Sequence, residues 1–150
     1  MPPELQLREF PGEGHASPLL PAPTADTAPF QAGLREGRLR LQRCAGCGRA
    51  RYPVAPVCPW CATADHGWED VDGAAELFTW VRYRRPFHPA FASLVPYVVV
   101  LAELTAGPRL FGRLREDAGQ PRTGMALEAV VERWEDGACT LAFEPRRGTA

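Results

Sequence analysis

Four cysteines in two closely spaced pairs constrain the fold of this chain more than any other feature. Cys44 and Cys47 form one Cys-X-X-Cys pair, and Cys58 and Cys61 form a second pair after ten intervening residues. Each such turn presents two thiolates to one ion, and two turns complete a tetrahedral site with Zn–S distances of about 2.3 Å. Because all four ligands are cysteine, the site has no open position for a reactive water. The spacing therefore predicts one structural zinc ion per chain.

Disulfide bonds and a rubredoxin-like iron site are the alternatives for these cysteines. Residues 1–10 contain neither the basic stretch nor the apolar stretch of a signal peptide. The longest apolar run, residues 95–102, is far shorter than the roughly 20 residues that cross a bilayer. We therefore expect a cytoplasmic chain without a membrane span, and a reducing compartment favours a metal over disulfides.

Arginine carries all of the positive charge in this sequence. The 17 basic residues are all arginine, the acidic residues number 18, and the net charge is −1. The absence of lysine excludes mechanisms that need a Schiff-base or general-base lysine. Charge is segregated, since residues 30–61 and 82–115 each carry a net +5 and residues 62–81 and 116–144 each carry a net −5. Such alternation is typical of mixed, solvated surfaces and argues against a nucleic-acid coat protein.

The order of sequence patterns predicts a mainly β chain with an N-terminal arm. Residues 1–29 contain seven prolines and predict an extended arm without a regular element. A proline at position 29 favours a short helix that ends near Gly37, and the alternation over residues 38–43 predicts a strand leading into the cysteines. Five further strands, with an Asp136-Gly137 hairpin turn before the last, suit a small Greek-key barrel of the OB type. The predicted strands cover residues 77–83, 97–104, 109–114, 127–134 and 139–143.

Few other side chains indicate chemistry. Cys139 lies on the apolar face of a predicted strand, and we interpret it as a buried thiol that packs in the core. His15 falls in the arm and His66 in an acidic loop, whereas His88 lies between aromatic residues and prolines and is the one histidine considered for a function. No serine–histidine, lysine or paired-carboxylate constellation is visible, so we expect no catalysis by this chain alone.

Several motifs in a fixed order resemble a known family. These are Glu36-Gly37-Arg38-Leu39, the two cysteine pairs, Tyr52-Pro53, Phe87-His88-Pro89-Ala90-Phe91, Pro96-Tyr97-Val98-Val99, Gly124-Met125 and Phe143-Glu144-Pro145. Over residues 28–146 the chain resembles the zinc-ribbon/OB-fold acyl-CoA-associated proteins known as domain of unknown function 35. It departs from their pattern at Gln31, where an aromatic residue is frequent, and at Val54-Ala55, where Pro-Arg is frequent.

The resemblance implies an architecture and a role. The architecture is an arm (1–27), a helix with a lead-in strand (28–43), a rubredoxin-like zinc ribbon (44–72) and a five-stranded OB-fold barrel (73–146). The role is that of a non-catalytic accessory subunit of a thiolase-superfamily enzyme: a thiolase, an acyltransferase or a steroid side-chain retro-aldolase. The partner carries the catalytic residues, and the small subunit stabilises the partner and helps to bind or channel acyl-CoA.

Two segments are candidates for contacts with acyl-CoA or the partner. Arginines in the ribbon can bind phosphates bidentately. The loop over residues 82–91 combines arginine with aromatic residues, as interface cores do, and with the apolar residues of the arm it would form a partner face. The alternative for these aromatic residues is that they close the barrel as intramolecular core. The candidate contact residues are Arg43, Arg49, Arg51, Arg84, Arg85, Phe87, His88 and Phe91.

Other function classes stay open at this point. Zinc ribbons and OB folds also bind single-stranded nucleic acid, and Trp80 and Tyr83 among arginines could provide a stacking platform. The two acidic blocks argue against that function. A metal-stabilised scaffold without a ligand is the third hypothesis.

Overall fold

The computed structural model describes residues 3–14, 20–115 and 118–148. This part of the chain contains one short α-helix, one 3-10 turn and nine strands. The strands form two sheets. The elements are β1 (Gln6–Glu9), α1 (Ala28–Arg35), β2 (Leu39–Cys44), β3 (Ala50–Arg51), β4 (His66–Val71), β5 (Ala74–Tyr83), the 3-10 turn (Pro89–Phe91), β6 (Tyr97–Leu104), β7 (Arg109–Leu114), β8 (Ala126–Arg133) and β9 (Cys139–Pro145).

The smaller sheet carries the cysteines and has the order β3-β2-β4, with both pairings antiparallel. The expectation that His66 lies in a loop is wrong, because His66 begins β4 and lies opposite Cys44 of β2. Acidic residues are poor strand formers, but here they pair with arginines of β2. Arg40 Nε donates to Asp70 at 2.8 Å, and Arg43 pairs with Glu69.

The larger sheet closes into a five-stranded barrel with the order β5-β6-β7-β9-β8, and β8 pairs back to β5. Neighbouring strands are antiparallel except β7 and β9, which are parallel. Gly137, in the predicted hairpin between β8 and β9, has a φ of +81°, a conformation that glycine adopts without strain. The mainly β class and the OB-type barrel are confirmed.

One hydrophobic core connects the helix, the ribbon sheet and the barrel. Leu34 of α1 and Leu39, Leu41 and Val71 of the ribbon sheet belong to the same buried cluster as the barrel interior. The barrel contributes Leu77, Val100, Leu110, Leu127, Val131 and Phe143. The two sheets therefore share buried surface.

The N-terminal segment contains a strand that the sequence did not predict. β1 pairs in parallel with β8, from Gln6 opposite Val130 to Glu9 opposite Arg133. The expectation that the prolines exclude a regular element from this segment is therefore wrong. Because β5 pairs only with the start of β8, the rest of that edge of β8 is free to pair with the four residues of β1. His15 and Leu19 of the arm lie outside the described residues.

Candidate functional site

The sulfur atoms of Cys44, Cys47, Cys58 and Cys61 lie within 4.8 Å of one another. The distance from Cys44 Sγ to Cys61 Sγ is 3.4 Å, and that from Cys47 Sγ to Cys58 Sγ is 3.6 Å. Tetrahedral coordination with Zn–S bonds of about 2.3 Å needs sulfur separations of about 3.8 Å. All four cysteines are free thiols. They are thus positioned to bind one metal ion rather than to form disulfides.

The backbone around Cys44 favours a thiolate. The amides of Gly46 and Cys47 point at Cys44 Sγ, at 3.3 and 3.4 Å. Hydrogen bonds to this sulfur, the one from the Cys47 amide above all, lower the pKa of the Cys44 thiol to about 6. A metal ligand must be deprotonated, so the turn prepares this cysteine for coordination. A Cβ at Gly46 would lie 3.1 Å from Thr63 Cγ2 and 3.2 Å from Cys61 Sγ, so a larger residue there would have to displace these neighbours slightly.

A buried polar network braces the segment between the two cysteine pairs. Arg51 donates from Nε to Gln42 Oε1 at 3.1 Å and from Nη2 to the Ala55 carbonyl at 3.0 Å. Gln42 Oε1 also accepts from the Ala55 amide at 2.9 Å. Arg51 is only 3% exposed. The expectation that Arg51 belongs to a cationic surface is therefore wrong, because its guanidinium donates hydrogen bonds inside the ribbon.

The other two ribbon arginines are accessible but differ in their partners. Arg43 pairs with Glu69 and donates from Nη1 to the Gly48 carbonyl at 2.6 Å. Arg49 is exposed, and its guanidinium carbon lies 5.0 Å from the centre of the Trp60 ring. Arg49 has no carboxylate partner among the residues that the structure describes. The ribbon surface therefore places a guanidinium without a described carboxylate partner beside an exposed indole.

In the loop after β5, some side chains lie on the surface and others pack in the interior. Phe87 is 73% exposed, and Arg84 and Arg85 are also exposed. Phe91 is half-buried and its ring centre lies 5.6 Å from that of Phe10. His88 Nδ1 accepts from the Ala90 amide at 3.1 Å and so caps the 3-10 turn. Phe91 therefore packs within the chain, as the intramolecular-core alternative states. Phe87 stays exposed and is available for contact with a partner.

An aromatic cavity of about 590 Å³ opens beside this loop. Its floor includes Arg113 and Glu132, whose side chains are 6% and 2% exposed and form an ion pair. Arg115 also donates to Glu132, at 2.6 Å. This buried charge cluster could not be predicted from the sequence. Its burial depends on Phe10, which covers the outer face of the barrel and follows β1, a strand that was not predicted. The lining aromatic residues are Phe10, Tyr83, Phe87, Phe91, Tyr97, Phe111 and Trp134.

Two other observations bear on function. Cys139 is partly buried against the main core. It does not belong to the cluster of four cysteines that could bind a metal ion. Within the described ranges, no helix is long and apolar enough to cross a membrane.

Comparison with known proteins adds two family matches and several relatives. Residues 31–67 match the ChsH2 rubredoxin-like zinc ribbon domain, and residues 68–132 match the ChsH2 C-terminal OB-fold domain. The chain is 38% identical over 94 residues to a "probable enoyl-CoA hydratase alpha subunit" of Thermomonospora curvata, covering 63% of this chain and 29% of that protein. It is 31% identical over 126 residues to the "3-oxo-4,17-pregnadiene-20-carboxyl-CoA hydratase alpha subunit" of Mycobacterium tuberculosis, covering 83% of this chain and 39% of that protein. The chain thus spans well under half the length of either relative.

Two further relatives match most of their own length. A "DUF35 domain-containing scaffold protein" of Pyrococcus furiosus is 26% identical over 104 residues, which are 66% of this chain and 76% of that protein. A chain of the solved "Ltp2-ChsH2(DUF35) aldolase" is 32% identical, with a TM-score of 0.75 over 84% of this chain and 98% of that chain. The four-cysteine ribbon, the OB barrel and these matches agree, and the chain belongs to the DUF35 family of ChsH2-type zinc-ribbon/OB-fold proteins.

Proposed function

We propose that this chain is a non-catalytic accessory subunit of a thiolase-superfamily enzyme. In this role it stabilises the partner and helps to bind or channel an acyl-CoA. The observation that carries the proposal is the match to the Ltp2-ChsH2(DUF35) aldolase chain, which extends over 98% of that chain. The name of that structure joins a DUF35 component to a second protein in one aldolase. The hydratase relatives are described as subunits, and the archaeal relatives as scaffolds.

The metal in this proposal is one zinc ion held by Cys44, Cys47, Cys58 and Cys61. The sulfur separations of 3.4 and 3.6 Å fit a tetrathiolate site. When bound, the ion supplies ligation energy that holds the two turns together. The match to a zinc ribbon domain over residues 31–67 favours zinc over iron.

The proposal assigns the chemistry to the partner. The sequence contains no lysine. The two described histidines make local backbone contacts, His66 Nδ1 at 3.0 Å from the Ala64 carbonyl and His88 at the Ala90 amide. The exposed candidates for contacts with the partner or with acyl-CoA are Arg43, Arg49, Arg84, Arg85 and Phe87.

Co-expression tests the proposal. We expect the full chain to co-elute in size-exclusion chromatography with a thiolase-like protein from its own source genome, and the complex to turn over an acyl-CoA that neither protein turns over alone. Phe87→Ala should weaken assembly about tenfold or more, as loss of an exposed aromatic anchor does, without lowering the melting temperature. Val57→Ala, an exposed apolar residue outside both the arm and this loop, is the control. Turnover by the purified chain, or no complex with any such protein, would overturn the proposal.

A further inference from the structure

The outer face of the sheet formed by β5, β6 and β7 is apolar in its central part. Every second residue of β6 is buried in the barrel, namely Val100, Ala102 and Leu104. The residues between them therefore point outward, and the residues paired with these on the neighbouring strands share that face. The register gives two successive outward rows, Val81 with Val99, and Thr79 with Leu101 and Phe111.

The outward side chains are accessible to solvent. Phe111 is 67% exposed and Val81 is 47% exposed. Phe78, at the irregularity of β5, is 43% exposed, and the guanidinium of Arg109 lies over its ring. An exposed apolar patch that extends over adjacent strands is typical of a protein–protein contact, and a sheet face packs well on another sheet.

The two ends of this face carry opposite charges. Glu76 and Glu103 lie opposite each other near the start of β5. Arg109 pairs with Glu103, whereas Glu76 has no ion-pair partner among the described residues, so this end is net negative. Arg84 and Arg85 directly follow the other end of β5. Both are exposed and lack a carboxylate partner in the described ranges.

Neighbouring charges at the basic end do not cancel it. Arg113 and Arg115 of β7 both contact Glu132. Arg115 also lies 3.8 Å from Glu144, which pairs with Arg8. Three arginines thus share two carboxylates there, and the end stays positive.

The ribbon beyond Arg109 does not reverse the sign of the acidic end. Arg43 pairs with Glu69. Arg49 lies on the same surface as the four clustered cysteines, and a divalent ion bound by four thiolates leaves that site negative. The face therefore has an apolar centre, one acidic end and one basic end.

We propose that this face binds a second copy of the chain, about a two-fold axis that lies between the two sheets and runs across their strands. Such an axis reverses the strand direction, so the arginines after β5 in each copy lie over Glu76 and Glu103 of the other. The apolar centres then pack on each other. An axis along the strands would bring like charges together. The proposal does not rest on the proposed function, because self-association needs no other protein.

Sedimentation equilibrium of the full zinc-loaded chain tests this contact. We expect monomers and dimers without larger species, because a two-fold contact is closed. Phe111→Asp places a charge in the apolar face and should raise the dimer Kd about tenfold or more. Val57→Asp changes an exposed apolar residue of the ribbon and, as the matched control, should leave Kd unchanged. Circular dichroism and zinc content should be equal in both variants and the wild type.

Charge exchange tests the orientation of the two copies. Glu76→Arg and Arg84→Glu should each raise Kd about two- to fivefold, as loss of an exposed ion pair does, because each brings like charges together. The double variant exchanges the two charges and should return Kd towards the wild-type value. A double variant as weak as either single variant would overturn the proposed axis.

Two further outcomes would overturn the contact. One is a wild-type chain that stays monomeric at every concentration, and the other is a dimer whose Kd does not change in Phe111→Asp. If the chain alone is monomeric and Phe111→Asp blocks assembly with the thiolase-like protein, the face binds that protein instead. A wild-type dimer that responds to these variants but forms no enzyme complex would support this contact and contradict only the proposed function.

Discussion

Glu132 joins two arginines on the outer face of the barrel. Its carboxylate accepts from Arg113 Nε at 3.1 Å and from Arg115 Nη1 at 2.6 Å, and the side chain is only 2% exposed. Phe10 lies against Arg113 and excludes water from that side of the pair. Two guanidinium groups therefore meet at one buried carboxylate, and Arg115 also lies 3.8 Å from Glu144.

We expect Glu132→Gln to lower the free energy of unfolding by about 3 kcal/mol, because it removes a buried carboxylate that two guanidinium groups contact. Glu103→Gln makes the same chemical change in a half-exposed pair with Arg109 and should change the free energy by about 0–1 kcal/mol. Urea unfolding of the two variants, followed by circular dichroism, measures the difference. Equal effects would show that the Glu132 cluster is as well hydrated as the surface pair.

At the scale of elements, β1 ties the N-terminal segment to the barrel through the residues at its two ends. Leu5 precedes the strand and is buried in the main core. Phe10 follows the strand and stacks on Trp134 with ring centres 3.5 Å apart. Leu7, within the strand, is 45% exposed. The apolar residues of this segment thus divide into a buried set and an exposed set.

We expect Phe10→Ala to lower the free energy of unfolding by about 3 kcal/mol, as removal of a buried aromatic ring does. Leu7→Ala, on the same strand, should have little effect because that side chain is exposed. Thermal unfolding of both variants tests this. A similar melting temperature for Phe10→Ala and the wild type would mean that the segment is not docked in solution.

Strands with a visible pattern within their own segment could be predicted from the sequence. Strands that depend on contacts with distant residues could not. β6 and β7 have the predicted bounds, because an apolar run and an apolar–polar alternation are visible within each segment. β4 escaped prediction because its acidic residues are stabilised by arginines of β2, about 25 to 30 positions earlier in the chain. β1 escaped because it forms only on the free edge of β8.

The same distinction applies to the candidate sites. The four cysteines could be grouped from their spacing, since a Cys-X-X-Cys turn is a local structure. The burial of Arg51 could not be predicted, because it depends on Gln42 and on the carbonyl of Ala55 in a loop without periodicity. A cavity between the ribbon and the barrel could not be predicted either, since its lining residues Trp60 and Arg109 lie far apart in the sequence.

At the scale of the whole molecule, the shared core couples the metal centre to the barrel. We expect Cys47→Ser to abolish stoichiometric zinc by elemental analysis. Because Leu39, Leu41 and Val71 join the ribbon sheet to the barrel interior, we expect the melting temperature of the entire chain to fall as well. The loss of several kcal/mol of ligation energy corresponds to about 10 °C or more in a chain of this size.

Cys139→Ser is the matched control, since that thiol lies outside the cysteine cluster. It should retain one zinc per chain. Full zinc content in Cys47→Ser, or a barrel whose melting temperature is insensitive to metal, would contradict the coupling.

The closure of the barrel by β9 has a consequence for the order of events during synthesis. β9 pairs with both β7 and β8, and it follows every other barrel strand in the chain. At the ribosome, the ribbon has all four cysteines and all three strands before the first barrel strand is complete, so it can take up metal while translation continues. The barrel stays open, with unpaired strand edges, until β9 emerges. A nascent chain stalled before β9 should therefore hold zinc yet require chaperones to stay free of aggregation.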